Sequence, residues 1–144
     1  MYEKELYETL ISDAVLVNLL STYRLSASAT KPAIFDDGAP EGAEFPYVVY
    51  RIEQYPVDGA VSRFEVVLDY FGHSSVASRT KARQAIDRII LLLKYQEIDT
   101  ARFGEVTHFE PLVLPIPEPD SRGIHYNIRC EASGIEKQWL ESLT

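Results

Sequence analysis

The first stretch of the chain places its apolar residues at the spacing of a helix. Over residues 2–20 the apolar face is formed by positions four, four and three apart: Leu6, Leu10, Ala14 and Val17. Such a stripe is typical of an amphipathic helix packed on a core. The Ser-Asp step at 12–13 favours a new helix start, because Asp is a good N-cap. We therefore predict a helix over 2–20, with a division into two short helices near Asp13.

The next segment lacks any period. Residues 21–31 contain a Ser-Ala-Ser-Ala run, which predicts a loop. Residues 33–36 are consistent with a short strand. The stretch 37–42 combines Asp, Gly and Pro, and it predicts a turn because Gly permits positive φ and Pro fixes its own φ.

Two later segments alternate with the period of a strand. In 47–54, Val48, Tyr50 and Ile52 share one face. In 63–71, apolar and aromatic residues at even positions alternate with mostly polar ones. Turn residues at 56–59 separate the two segments, so they predict an antiparallel hairpin.

A helical pattern returns over 76–94, with Ser74 or Ser75 as the predicted N-cap. Basic residues occupy much of its polar side: Arg79, Lys81, Arg83 and Arg88. Nucleic-acid binding through this side is disfavoured, because the run lacks interleaved aromatics and the protein is acidic. A solvated or subunit-contacting helix face is the preferred interpretation.

The last third predicts a second pair of strands, at 104–114 and 124–133. Between them, 115–123 has three prolines at alternate positions. These prolines exclude a central strand and favour a stiff, extended loop. Trp139 and Leu140 are consistent with a short C-terminal helix.

These elements indicate an α+β fold in the order α-β-β-α-β-β. We expect one domain over 1–144, with one antiparallel sheet of four to five strands. The N-terminal helix and a long central helix are expected on one face of that sheet. Several strands are apolar on both faces, as at Val66 and Val67, which predicts that another subunit covers the second face.

Composition narrows the function classes. The 144 residues carry 22 acidic and 14 basic side chains, for a net charge of −8. General nucleic-acid binding is therefore disfavoured, because affinity for phosphates comes from clustered Lys and Arg. The single Cys130 lies in an alternating strand and is expected to be a buried, inert thiol. With no signal peptide and no long apolar stretch, a cytoplasmic protein without membrane contact is expected.

Motifs for catalysis are missing from the sequence, which has no phosphate-binding glycine loop, H-E-x-x-H or G-x-S-x-G motif. One alternative remains from the histidines. If the last two strands pair, His108 and His125 approach each other, next to Glu110 and Glu131, and form a metal or acid–base site. A polar or subunit-facing sheet surface is the preferred interpretation of these residues.

The N-terminal third resembles the phage tail-completion family, which includes the tail-to-head joining proteins of siphophages. The similarity lies in L-Y-E-T-L-I-S-D-A-V-L-V-N-L-L (6–20) and I-F-D-D-G-A-P-E-G-A-E-F-P-Y-V-V-Y (34–50). The strand R-F-E-V-V-L-D-Y-F-G and the helix after it keep the family's order of elements. The resemblance implies a non-enzymatic virion protein without a cofactor.

The same resemblance implies partners and a location. It implies a ring, commonly a hexamer, that joins the tail-tube protein to the head–tail connector protein at the head–tail junction. Assembly would take place in the host cytoplasm, and DNA would pass through the ring without specific binding. The predicted contact loops are 57–62 and 115–122. The candidate contact residues are Val57, Asp58, Arg63, Pro115, Pro117, Asp120 and Arg122.

Two alternatives stay open. One is another phage neck protein, such as a head-completion or connector subunit. The other is a small α+β domain that binds a ligand or metal on the His108/His125 face.

Overall fold

The computed structural model describes residues 1–56 and 60–142. Its helices are α1 (Glu3–Ile11), α2 (Ala14–Asn18), α3 (Arg79–Leu93) and α4 (Lys137–Ser142). Its strands are β1 (Thr22–Ser26), β2 (Ala29–Pro32), β3 (Ile34–Asp36), β4 (Tyr47–Pro56), β5 (Val61–His73), β6 (Glu97–Thr100), β7 (Gly104–His108), β8 (Leu112–Pro115) and β9 (Gly123–Ile135). The α+β class is confirmed.

The main sheet is larger than predicted. It has seven strands, of which six follow the order β3-β4-β5-β9-β7-β6 and the seventh, β8, also pairs with β9. The expectation of four to five strands was wrong, because short strands extend the sheet beyond the two long hairpin partners. The sheet is also not purely antiparallel, since β3 runs parallel to β4.

Three long strands, β4, β5 and β9, form the centre of the sheet. Their register places Tyr50 opposite Leu68, and Leu68 opposite Ile128, so the apolar positions of all three strands share one face. That face packs against Leu6 and Leu10 of α1 and against the buried stripe of α3. The predicted alternation of 47–54 and 63–71, and their antiparallel pairing, are confirmed.

The helices also follow the pattern, with shifted ends. The N-terminal helix is interrupted at Asp13, whose carboxylate accepts a hydrogen bond from the Leu16 N–H at 3.0 Å and caps α2. The expectation of a long central helix over 76–94 was wrong, since α3 has only 15 residues. Its N-cap is Ser78 rather than Ser74 or Ser75, because the Ser78 hydroxyl accepts from the Lys81 N–H.

Three segments differ from the sequence-based expectation. Residues 21–31 were predicted as a loop, but β1 and β2 pair there as a hairpin separate from the main sheet. The predicted strand 104–114 is divided into β7 and β8 by an irregular step at 109–111. Strand β6, which the pattern did not predict, forms an edge next to β7.

Candidate interaction surface on the outer face of the sheet

The face of β4, β5 and β9 that points away from α1 and α3 is called the outer face here. Asp69 lies near its centre. Its Oδ1 accepts hydrogen bonds from His125 Nε2 at 2.8 Å and from Asn127 Nδ2 at 3.0 Å. Its Oδ2 is 4.0 Å from a guanidinium nitrogen of Arg51. Side chains of three neighbouring strands therefore meet at one carboxylate.

The apolar residues of the outer face are partly covered from within the chain. Val67 stands opposite Arg51 on β4 and Arg129 on β9, and it is only 1% exposed. Arg129 in turn donates to Glu65 at 2.6 Å. Arginine side chains cover apolar surface with their aliphatic stems, so the apolar character of this strand on both faces does not by itself require another subunit.

One end of the outer face is aromatic. The ring of Phe35 lies 6.0 Å from that of Tyr47, which lies 5.2 Å from Phe71. Phe71 stacks on His125 with the ring centroids 4.2 Å apart. Phe45 stacks on Tyr47 at 5.6 Å. These contacts form a continuous ladder of rings across the strands.

Residues 116–122, called the strap here, cross this aromatic end. His73 Nε2 lies 2.9 Å from Asp120 Oδ2, and His125 Nδ1 lies 2.9 Å from Glu118 Oε1. The pKa of Asp120 is held below its ordinary value by the Arg122 N–H, which donates to its carboxylate, and by His73. The predicted stiff loop is thus attached to the sheet by contacts between its carboxylates and two histidines.

A free sheet edge borders the strap. Strand β8 pairs with β9 on one side, and its outer-face residues Leu112 and Leu114 are 58% and 45% exposed. The Ile116 N–H donates to the His125 carbonyl, so the alternate residues Val113 and Pro115 direct their backbone towards the free edge. Pro115 has no N–H, which limits pairing with a further strand. The Val113 N–H is therefore the one strand donor of β8 at this edge, and the exposed side chains of Leu112 and Leu114 supply its apolar surface.

A groove of about 470 Å³ lies at the opposite end of the outer face. Tyr55, Val61, Arg63, Phe109 and Glu131 are among the residues that line it. Tyr55 and Phe109 are both about half exposed. Exposed aromatics beside charged groups are typical of protein–protein contact sites.

The candidate contact residues fall into three places. Arg63 lines the groove, while Pro115, Pro117, Asp120 and Arg122 are exposed at the edge strand and strap. Val57 and Asp58 lie outside the described residues. Contact of any of these with a partner stays a prediction.

The predicted approach of His108 to His125 was wrong. His108 pairs with Ala132 on the core side of the sheet and is fully buried, whereas His125 lies on the outer face. The carboxylates that contact His125 are Asp69 and Glu118, not Glu110 or Glu131. Within residues 1–56 and 60–142, no group of three or more His, Cys, Asp or Glu side chains is placed to hold a metal ion.

His108 instead belongs to a buried hydrogen-bond chain. A carbonyl can only accept, so His108 Nδ1–H donates to the Gln96 carbonyl at 3.0 Å. The other ring nitrogen, Nε2, then accepts from the Tyr2 hydroxyl at 3.0 Å. Burial lowers the pKa of His108 and raises that of Tyr2, so both groups are neutral. Their role is to connect the N-terminus to the sheet.

An acidic groove of about 440 Å³ lies between α1 and β6. Its lining includes four carboxylates and an exposed leucine: Glu5, Glu8, Glu97, Asp99 and Leu91. The pKa of neighbouring Glu105 is raised, because its protonated form donates a hydrogen bond to Glu97 and because the charges of Glu97 and Asp99 disfavour its ionisation. Sequence patterns missed this surface, because it depends on β6 returning beside α1.

Basic residues lie at the other end of α3, where Arg79, Lys81 and Arg83 are exposed. Arg88 does not share this exposed role. Its guanidinium donates twice to the Asp13 carboxylate, at 2.6 and 2.7 Å, and lowers the pKa of that carboxyl. The predicted basic helix face is therefore confined to the first turns of α3.

The buried thiol was predicted well, since Cys130 has no exposed surface and burial raises its pKa to about 11.

The helices in the described part of the chain are all too short or too polar to cross a membrane.

Comparison with known proteins gives a match in fold only. No protein-family model matches the chain, and no curated protein matches it either. Among solved structures, a chain in the virion of a native gene transfer agent particle has a similar fold. The TM-score is 0.61 at 14% identity, over 90% of this chain and 90% of that chain.

Proposed function

We propose that this chain is a non-enzymatic structural protein of a virion. The observation that carries the proposal is the shared fold with a virion chain along 90% of both proteins. The family resemblance of 6–50 rests on the amino-acid sequence rather than on the fold, and it points to the same class of protein. Fold alone does not specify function, so the agreement of the two is what supports the role.

Within the virion, we place the chain at the head–tail junction of a long-tailed phage or prophage, where it completes the tail tube and joins it to the head connector. Its partners there are other copies in a ring, commonly a hexamer, together with the tail-tube protein and the connector protein. This finer role rests on the tail-completion resemblance. Assembly takes place in the host bacterial cytoplasm.

A ring needs two different surfaces on each copy, because its contacts run head to tail. The chain offers one such pair, at opposite ends of α3. Its first turns are basic (Arg79, Lys81, Arg83), and its last turn borders the acidic groove between α1 and β6. Opposite charges at separate sites favour contact between different faces of neighbouring copies. The net charge of −8 would also keep passing DNA from binding.

Deletion of the gene from its phage or prophage tests the role. Electron microscopy of the lysate should show separate heads and tails, with tubes of irregular length, because an uncompleted tube continues to grow. Supply of the wild-type chain in trans should restore joined particles. Normal particles from the deletion would contradict a virion role. Defective heads beside tails of uniform length would favour the alternative, a head-completion or connector subunit.

Surface variants test which side makes the contacts. Leu112→Ser with Leu114→Ser removes the apolar side chains of the β8 edge while leaving the core intact. We expect this pair to reduce particle yield with little change in the folded state, measured by circular dichroism. The matched control is Val15→Ser on α2, which is also about half exposed and lies away from the outer face. Equal yields from both variants would remove the β8 edge from the proposed contacts.

A further inference from the structure

The strap is held at two points by contacts that involve ionisable side chains. Near its end, the Asp120 carboxylate contacts His73, and in its middle Glu118 contacts His125. Backbone bonds are few there. The Ile116 N–H donates to the His125 carbonyl at one end, and the Ser74 N–H donates to the Arg122 carbonyl at the other. The Gly123 N–H donates to the Asp120 carbonyl within the turn. Pro117 and Pro119 have no N–H to contribute.

The two histidines differ in the protonation state that their contacts require. The Ser75 N–H donates to His73 Nδ1, so that nitrogen acts as an acceptor. The other nitrogen of His73 then carries the hydrogen that Asp120 accepts at 2.9 Å. A neutral imidazole has one N–H and one acceptor nitrogen, so His73 makes both contacts without a charge.

His125 cannot make both of its contacts when neutral. Its Nε2 lies 2.8 Å from Asp69 Oδ1, and its Nδ1 lies 2.9 Å from Glu118 Oε1. Ionised carboxylates only accept hydrogen bonds, and both ring nitrogens carry hydrogens only in the imidazolium. The ring of Phe71 stacks on His125 at 4.2 Å, which also favours a cation.

The surrounding charges decide which contact is lost when the proton leaves. Asp69 is held on β5 by Asn127 and faces Arg51 on β4. Glu118 belongs to the strap and faces Tyr47, whose pKa is raised by burial and then by the Glu118 charge. A neutral His125 that keeps its bond to Asp69 presents a lone pair to Glu118. The repulsion then acts on the strap. At the other end, Asp120 accepts a hydrogen bond from the backbone N–H of Arg122, a contact that involves no titrating ring.

We propose that the strap is a pH-sensitive latch, fastened across the aromatic end of the outer face by the imidazolium of His125 and loosened when that ring loses its proton. Beneath the strap is a cleft of about 280 Å³ whose lining includes Phe45, Tyr47 and Phe71. Loosening further exposes Tyr47 and Phe71, whereas Phe45 is already exposed. The latch does not depend on the virion role, because it rests on contacts within one chain.

Hydrogen–deuterium exchange of the purified protein tests the latch. Imidazole changes charge between about pH 5 and 8, so strap peptides are compared at both ends of that range after correction for intrinsic exchange. We expect protection of the hydrogen-bonded amides of Ile116 and Arg122 to fall about twofold to fivefold as pH rises, the scale of one exposed ion pair. Protection of the β5–β9 ladder should not fall with it. A wild-type strap whose protection is unchanged by pH would overturn the proposal without any variant.

Three variants assign the effect to His125. His125→Gln should abolish the pH response, and Glu118→Ala, which removes the acceptor altogether, should leave the strap loose at both pH values. His73→Gln is the matched control, since it removes a strap contact that a neutral ring can make. The strap of that variant should be weaker but should still respond to pH. Persistence of the response in His125→Gln, or its loss only in His73→Gln, would refute the latch.

Discussion

Two buried tyrosines offer a matched test of how the core handles polar groups. The hydroxyl of Tyr2 donates to His108 at 3.0 Å. The hydroxyl of Tyr70 is also buried, but it has no hydrogen-bond partner among the described residues. Both side chains have no exposed surface, so Tyr→Phe removes one oxygen from an equally buried site in each case.

The expected costs differ because the partners differ. Tyr2→Phe keeps the ring contacts with Phe64 and His108 but leaves His108 Nε2 buried without a donor. An unsatisfied buried polar group costs about 1–3 kcal/mol, so we expect a loss of about 1–2 kcal/mol. Tyr70→Phe removes an unsatisfied hydroxyl instead, and we expect no loss, or a gain of up to about 1 kcal/mol.

Urea unfolding at pH 7.5, followed by circular dichroism, measures both values. The slope of the free energy against urea should be the same in all three proteins, which indicates that the same surface is exposed on unfolding. If Tyr2→Phe is no more destabilising than Tyr70→Phe, the hydrogen bond from Tyr2 to His108 contributes nothing to stability.

Further predictions concern pH, a helix cap and a turn. Because burial lowers the pKa of His108 from its ordinary value of 6.5, the native state binds fewer protons, and its stability should fall as pH decreases below 6.5. The slope of stability against pH is at most about 1.4 kcal/mol per pH unit for one proton. Urea unfolding over a pH series measures it, and an equally steep fall in the stability of His108→Leu would exclude this cause. Asp13→Ala should cost about 0.5–2 kcal/mol through loss of the α2 cap. Asp13→Asn keeps the cap acceptor and loses the charge facing Arg88, so equal melting temperatures for the two variants would show that the cap contributes nothing. Gly42 has φ of 85°, so Gly42→Ala should cost about 1 kcal/mol through backbone strain. Gly38→Ala, with open space around it, is the control. Equal shifts of the melting temperature in the two variants would contradict the strain.

Local patterns were sufficient where one period dominates. The strands at 47–54 and 63–71 were predicted because each has apolar residues at alternate positions, and each is long enough for that period to repeat. Helix α3 was recognised for the same reason, although its start was placed too early. The start is set by which serine can reach a backbone N–H, and Ser78 rather than Ser74 does so.

Short or weakly patterned elements could not be predicted. Strand β6 has four residues, Glu97–Thr100, which is too short for an alternation to stand out. The β1–β2 hairpin is mostly exposed, so burial selects no apolar pattern in it. Both are held by backbone pairing, which any side chain except proline permits.

The sequence by itself determined the class of the fold, the central strand pair and the break at Asp13, because the periods of helix and strand are local properties. Only the tertiary structure decided which side chains meet. A shift of one residue in register reverses the face on which every side chain of a strand lies, and no local pattern specifies the register between distant strands. For that reason His108 and His125, similar in sequence context, are separated by the sheet: one is a neutral core group, and the other stands between two carboxylates beneath the strap.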